Sequence, residues 1–561
     1  MQEYITELTK TIIKDKLDKL AIAKLKLKLC AKYKIKRAPT DIEVMLRADE
    51  KLLPKLKVLQ TKPTRTISGV SVVAIMTKPH KCPHGKCISC PGGIDSVYGD
   101  VPQSYTGNEP ATMRGIRNKY SAYLQVFNRL EQYAVLGHNF EKVELIIMGG
   151  TFPSLPNKYQ DKFTMEAFQA MNDFSKLFFS KGNFNLKKFK KFFELPCDIQ
   201  NAKRTKNIQS KVIEIKRYGK LNQKNKKLRK TTLLKEQLYN EKSQVRCVAL
   251  AVETRPDYCK EKHIKQMLKL GCTRVELGVQ SIYDDVLDKL ERGHSVEDSI
   301  EATQLMKKAL LKVGYHIMPG LMGSNYDMDE QMFQVLFSSS DFKPDALKIY
   351  PCMVMPGTKL YNIYKKGKFN PINTLQASNL IADVKKYIPT YCRIMRVQRD
   401  IPTKVTFAGV DKTNLRQYVM NIMKEKKLTC NCIRCREPRK REVNWKNVKM
   451  NILEYAASEG KEYFISYDDM ENDILLGFLR LRIDDKEAGV RELHIYGQAT
   501  SLGKKGAIQH KGLGKKLMKE AEKIAKKNKC KKIKVISGIG VKEYYRKLGY
   551  KKEDTYMVKV F

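Results

Sequence analysis

The chain has a single tryptophan, only eight histidines, and 60 acidic residues against 107 lysines and arginines. It also lacks any run approaching eighteen uncharged apolar residues, which argues against a membrane-spanning helix. The N-terminus, Met1-Gln2-Glu3-Tyr4, opens a charged amphipathic segment rather than a basic stretch followed by an apolar one, so no secretory leader is expected. The expectation is therefore a soluble protein of the reducing cytoplasm, with no membrane partner, in which the 14 cysteines are free thiols or metal ligands rather than disulfides. The shortage of acid leaves a formal charge of +47. A polyanion partner explains it; a general lysine bias spread over solvated faces is the alternative. Residues 1–65 hold 17 Lys/Arg against 8 Asp/Glu, and residues 181–245 hold 19 against 5. Such local concentration favours RNA.

At 561 residues at least two cores are required. Residues 1–37 read as a lysine-rich helix, and Pro39-Thr40-Asp41 restarts a short one. An apolar, β-branched run at 67–76 ends at Thr77-Lys78-Pro79 and reads as a buried strand entering a loop. Further strands are expected at 143–148, 247–252, 274–279, 314–318 and 346–350, with helices between them, which is the rhythm of a parallel sheet or partial barrel. The polar stretch 200–245 interrupts it as a helical hairpin with mobile surface. After about 447 the texture changes: strands at 462–467, 475–483 and 491–496, a glycine-rich turn, a helix at 514–527, and strands at 533–536 and 556–560. Four parts are thus expected: a basic helical segment, 1–65; a barrel, 66–402, with a lysine-rich insert near 181–245; a bridge, 403–446; and a second α/β unit, 447–561.

Two cysteine clusters carry the chemistry. In Lys81-Cys82-Pro83-His84-Gly85-Lys86-Cys87-Ile88-Ser89-Cys90 three thiols share one loop. A 4Fe-4S cluster held by three cysteines keeps one iron open to an amino-acid chelate such as S-adenosylmethionine. Structural zinc, with His84 as fourth ligand, is the competing reading. The loop follows a barrel-type first strand, and Met148-Gly149-Gly150-Thr151 follows the next, which favours the cluster. Gly149 and Gly150 would let backbone approach the methionine end of that ligand, with Thr151 beside them. Cys430-Asn431-Cys432-Ile433-Arg434-Cys435 lies in the bridge and suggests structural zinc, with Cys352, Cys392 or a histidine as fourth ligand; an unoccupied thiol patch is the alternative.

These motifs, with Gln103-Ser104-Tyr105-Thr106-Gly107-Asn108-Glu109-Pro110, Glu253-Thr254-Arg255-Pro256-Asp257, Glu276-Leu277-Gly278-Val279-Gln280-Ser281 and Val397-Gln398-Arg399-Asp400-Ile401-Pro402, make nearly the whole chain resemble the catalytic subunit of Elongator. The Cys-x4-Cys-x2-Cys spacing resembles its archaeal branch, and the insert matches least well. The resemblance implies a partial (β/α) TIM-type radical-SAM barrel followed by a GNAT-fold α/β domain.

Gln509-His510-Lys511-Gly512-Leu513-Gly514, opening a helix, has the Q-x-x-G-x-G form whose backbone N–H groups hold the pyrophosphate of acetyl-CoA. By resemblance, coenzyme contacts fall on Glu492, Leu493, His494 and Ile495, on Leu513, Gly514, Lys515 and Lys516, and on Tyr545; Tyr544 and Tyr545 could equally be core aromatics. A lysine of the first domain is implied near the coenzyme at Lys142. The expected catalytic positions are Lys142 and Tyr545.

A radical generator joined to an acetyl-CoA site suggests one reaction. A 5′-deoxyadenosyl radical takes hydrogen from the acetyl methyl, the carbon radical adds to carbon 5 of a uridine, and thioester hydrolysis leaves carboxymethyluridine. The resemblance implies the wobble uridine of a tRNA anticodon stem-loop, splayed into the site, an external electron donor, and action without the other Elongator subunits. Two rivals remain: a protein lysine acetyltransferase with a structural iron–sulfur domain, using Glu492 as base, and an RNA-binding scaffold with vestigial sites.

Overall fold

In the computed structural model the described residues are 1–61, 66, 68–197, 201–221, 227–439, 441–497 and 512–561. Among them no helix is long and apolar enough to cross a membrane. The expected lysine-rich helix is two helices, Gln2–Lys14 and Lys19–Lys32. It breaks because Lys16 adopts φ 48° and the Asp18 carboxylate accepts from Ala21 N at 2.8 Å, capping a new start. A third helix, Asp41–Arg47, opens with a capping box between Thr40 and Glu43. Tyr4, Ile5, Leu8, Ile12, Ile22, Leu29 and Val44 close a separate small core among these helices.

Seven parallel strands follow in chain order: β1 (Ser71–Met76), β2 (Lys142–Met148), β3 (Arg246–Thr254), β4 (Arg274–Gln280), β5 (Lys312–Ile317), β6 (Ala346–Ile349) and β7 (Arg393–Arg396). Each pairs with the next, and β1 does not pair with β7, so the sheet is a curled half-barrel, as the alternation of strands and helices predicts. Alternate side chains of β2 and β5 leave the core and face the concave side. Burial drives this arrangement: Val73, Ile75, Val143, Leu145, Ile147, Leu250 and Val252 pack outward against the helical layer. Between β2 and β3 the lysine-rich insert is ordered where described. Helix Asn157–Phe178 packs with Ala202–Tyr218 and Leu233–Asn240, and Arg229 bonds Asp173 at 2.8 Å and Glu236 at 2.8 Å. An arginine held by two buried carboxylates ties the described part of the insert to the barrel; residues 222–226, in the stretch expected as mobile surface, lie outside the described residues.

The second sheet has the order β8 (Val448–Ala457), β9 (Gly460–Asp469), β10 (Ile474–Asp484), β11 (Glu487–Ile495), β12 (Lys532–Val535), β14 (Tyr556–Val560), β13 (Lys551–Glu553). β12 pairs with β11 only over Ala488, Gly489 and Val490; beyond that the strands are not paired. Helix Leu513–Lys527 packs across β10 and β11 through Leu517, Met518 and Ala521.

The two units are joined by buried charge. Arg491 Nη1 reaches Glu462 at 2.9 Å within the second sheet and Asp345 at 3.1 Å in the first domain, while Asp345 also accepts Val313 N at 2.8 Å. Arg480 Nη2 donates to Tyr391 O at 2.7 Å, and Tyr391 stacks on Tyr455 at 4.1 Å. Nothing in the sequence motifs pointed to these contacts.

Candidate functional site

The concave face of the half-barrel encloses a cavity of about 620 Å³, within the range of small-molecule sites. Cys82, Cys87 and Cys90 line it, on the loop after β1. The His84 ring lies between two of these sulfurs, Nδ1 at 3.1 Å from Cys82 and Nε2 at 3.2 Å from Cys87. One nitrogen faces each sulfur, so the ring cannot join them around one ion. Among the described residues, sets of three ligand atoms within 4.8 Å of one another occur at Cys430, Cys432 and Cys435, and at Glu253, Glu276 and His316, but not in this loop. The three thiols of the first loop are not drawn together in that way, which suits a polynuclear cluster bound at separate corners better than a single ion. Arg292 Nη1 lies 3.6 Å from the Cys87 sulfur, a cation beside the thiol loop.

Gly150 and Thr151 line the same cavity, and Thr151 Oγ1 is 3.5 Å from the Cys82 sulfur. Gly149 has φ 133°, and a Cβ there would stand 2.0 Å from Thr77 Oγ1. A Cβ on Gly150, at φ 95°, would meet Gln103 at 3.1 Å. Close packing by the chain itself therefore already demands glycine at Gly149.

Deeper in the lumen lies a constellation to which the sequence reading assigned no role. Glu253 and Glu276 are register partners on β3 and β4, as are His316 and Lys348 on β5 and β6, so all four converge. Lys348 Nζ is 2.9 Å from Glu253 and also pairs with Glu276, His316 Nε2 is 3.0 Å from Glu276, and Tyr105 donates to Glu253 at 2.8 Å. Burial opposes charge on Lys348, but Glu253 and Glu276 outweigh it and raise its pKa. The ammonium thus takes the place an ion would need among the acids. The signal was present in the sequence as charged residues at the ends of apolar strands, where an exposed or solvated position would have been the ordinary reading.

On the second domain, Glu492 is not a free base. Lys312 pairs with one oxygen and Arg480 Nε reaches the other at 2.9 Å. Burial would raise its pKa, yet Lys312 and Arg480 hold it at about 2. The base that the lysine-acetyltransferase rival requires is therefore neutralised in place. His494 stacks near Phe478 and Tyr496, and its Nε2 is 3.0 Å from Ser68 O, a lining residue of the barrel cavity. Gly512, at φ 84°, caps the helix that carries Leu513, Gly514, Lys515 and Lys516. Gln509 lies outside the described residues. Tyr545 is buried in the domain core, whereas a Cβ on Gly514 would lie 2.9 Å from the Tyr544 hydroxyl, so Tyr544 is the tyrosine at the first turn. Burial pushes the Tyr544 phenol up to about 12, which keeps it a neutral donor. Lys142 begins β2, at the opposite end of the strands from the cysteine loop, and burial lowers its pKa.

In the bridge, Cys430, Cys432 and Cys435 converge as the spacing predicts. Among the described residues neither Cys352 nor Cys392 nor a histidine joins the set; Cys352 packs in an apolar cluster with Ile88, Val286 and Leu290. The neighbour instead is Lys385, whose Nζ is 3.1 Å from Cys430 and 3.7 Å from Cys435. Beside them Arg434 is depressed to about 10 by burial and by the like charges of Arg416 and Arg393.

Comparison with known proteins agrees with both halves. The radical SAM superfamily model matches residues 215–336, the radical SAM C-terminal domain model 344–425, and the acetyltransferase (GNAT) family model 429–550. The chain is 46% identical over 569 residues to the tRNA uridine(34) acetyltransferase of Methanocaldococcus infernus, covering 97% of this chain and 96% of that one. It is 40% identical over 560 residues to Elongator complex protein 3 of Saccharomyces cerevisiae, covering 95% and 90%. The solved structure of the archaeal Methanocaldococcus infernus Elp3 with its N-terminus deleted superposes with a TM-score of 0.70 at 41% identity, over 88% of this chain and 100% of that one.

Proposed function

This chain belongs to the family of the tRNA uridine(34) acetyltransferases and Elongator complex protein 3, and from that premise we propose that it carboxymethylates carbon 5 of the wobble uridine in tRNA. One observation carries the reading: the cavity lined by Cys82, Cys87 and Cys90 extends to Ser68, whose carbonyl meets His494 on the acetyltransferase strand. That contact brings the strand proposed to hold the acetyl donor against the wall of the cavity proposed to hold the radical source. When bound, the cluster with S-adenosylmethionine supplies a 5′-deoxyadenosyl radical, and acetyl-CoA supplies the two-carbon unit that hydrolysis leaves as carboxymethyl.

The chain's own residues bind and orient. Cys82, Cys87 and Cys90 hold the cluster; Gly149, Gly150 and Thr151 lie where the methionine end would dock. Glu492, Leu493, His494 and Ile495 present the strand edge to the pantetheine arm where β12 has parted from β11, and Gly512 to Lys516 present helix N–H groups to the pyrophosphate. Gln509, Lys142 and Tyr545 stay in this assignment by family resemblance, with Tyr544 placed nearer the helix start than Tyr545. Burial and the Lys348–Glu253–Glu276 network keep the lumen's charges fixed. Cys430, Cys432 and Cys435 hold zinc, with Lys385 facing the fourth position. The enzyme works in the cytoplasm on the tRNA anticodon stem-loop, takes electrons from an external donor, and acts without other Elongator subunits. Residues 1–65, the barrel 66–402, the bridge 403–446 and the transferase unit 447–561 are its working parts.

The test is anaerobic incubation of the reconstituted protein with tRNA, reductant, S-adenosylmethionine and methyl-labelled acetyl-CoA, followed by nucleoside mass spectrometry. Labelled carboxymethyluridine is expected. Label on protein lysines without S-adenosylmethionine, and none in tRNA, would replace this reading with lysine acetylation.

A further inference from the structure

Three arginines of the bridge that line the cavity have no acidic partner among the described residues. The outer edge of β7 is not closed onto β1. The bridge runs past that edge and sets Arg416, on helix Leu415–Glu425, together with Arg434 and Arg439 into the cavity wall. Arg393 and Arg396 line the same wall but are neutralised by Glu437 and Asp400. Among the described residues no carboxylate lies within the 4.0 Å of an ion pair from Arg416, Arg434 or Arg439. Their other contacts are slight. The Arg434 Nε is buried without a hydrogen-bond partner, Arg416 reaches Ile394 O at 3.5 Å, and Arg439 reaches Arg434 O at 3.1 Å.

Arg416 and Arg434 are half-buried, with Arg439 exposed beside them; guanidinium groups partly withdrawn from water without a counter-charge are costly, and they repel one another. Their planar forks match the oxygens of a phosphate. A base that leaves its stack to enter a pocket leaves its own backbone phosphates at the rim. We infer that Arg416, Arg434 and Arg439 form a phosphodiester-binding subsite at the mouth of the barrel, which holds the RNA backbone beside the uridine while the base occupies the lumen. This rests on the proposed RNA substrate. Coenzyme A also carries phosphate, but the helix start assigned to it, at Gly512, belongs to the other domain.

The experiment measures binding of the full chain to an anticodon stem-loop RNA by fluorescence anisotropy, with single phosphates around the target uridine replaced by neutral methylphosphonates. One or two neutral linkages next to the uridine should weaken wild-type binding by roughly ten- to a hundredfold, the worth of hydrogen bonds to a charged group. The Arg416→Gln/Arg434→Gln variant should bind the all-phosphate RNA as weakly as that, with no further loss on neutralising those linkages. A wild type indifferent to every linkage, or a variant penalised by them as the wild type is, overturns the subsite. Acetyl-CoA and 3′-dephospho-acetyl-CoA affinities are measured alongside. If the variant loses preference between these two instead, the arginines serve the coenzyme and the RNA assignment falls. Binding and turnover fail separately: linkage-dependent binding without carboxymethyluridine would keep the subsite and sink the proposed reaction, and the converse result would do the reverse.

Discussion

Cys87 shows how little of a site's energy can lie in recognition and how much in chemistry. Its sulfur faces the cavity beside Arg292 at 3.6 Å. Cys87→Ala is expected to abolish carboxymethyluridine formation while leaving tRNA affinity within about twofold, since phosphate contacts dominate affinity; retained modification in the mass spectrum would refute the cluster assignment. Glu492 makes the opposite case, a residue expected to do chemistry that is instead held by charge. With Lys312 left facing no anion and Arg480 left with Asp345 alone, Glu492→Gln should cost roughly 3–5 kcal/mol of stability. The folded pKa, about 2, lies below the ordinary 4.5. The carboxylate therefore stabilises the fold fully above pH 4.5, and that contribution drains away as pH falls toward 2. Melting curves of wild type and variant should differ most at neutral pH and converge in acid. The three thiols and Gly512 were legible from spacing alone, because their chemistry is local to one loop. The pairing of Glu492 was not, because Lys312 lies on a strand of the other domain.

Among the elements, strands and helices followed from apolar period and turn residues. The exceptions have local physical causes, such as the Asp18 cap that splits the first helix. β7 went unread because Arg393-Ile394-Met395-Arg396 is short and half charged. The arginines that disguise it are the ones lining the cavity wall. The loop after β12 supplies a sharper case. A Cβ on Gly538 would lie 2.0 Å from Val248 O on β3, so the transferase loop touches the barrel backbone. Gly538→Ala must push these elements apart. It should lower the melting temperature and raise hydrogen exchange along β3 near Val248, with little change in the far helix Leu513–Lys527; unchanged exchange at β3 would show that the contact is not made.

At the scale of the molecule, the buried Asp345 joins the domains through Arg491 at 3.1 Å, with Arg480 beside it. Asp345→Asn removes the shared anion from two arginines and should destabilise the protein by roughly 3–5 kcal/mol. Loss of one cooperative transition and the appearance of two in calorimetry would show that the domains have uncoupled; an unaltered single transition would mean the network is not what joins them. The excess of 107 basic over 60 acidic residues predicts tRNA binding that weakens steeply with salt, measurable as the slope of log affinity on log salt.

By itself the sequence determined the two domain types, most of their strands, the cysteine loops and the glycine-rich helix start, since each rests on residues within one short segment. Tertiary structure decided that the transferase strand meets the barrel at Ser68, that Lys348 sits among Glu253, Glu276 and His316, and that Lys385 attends the second thiol set. Those outcomes depend on residues hundreds of positions apart meeting across parallel strands. The curl of the sheet sets that meeting, and no local spacing encodes it.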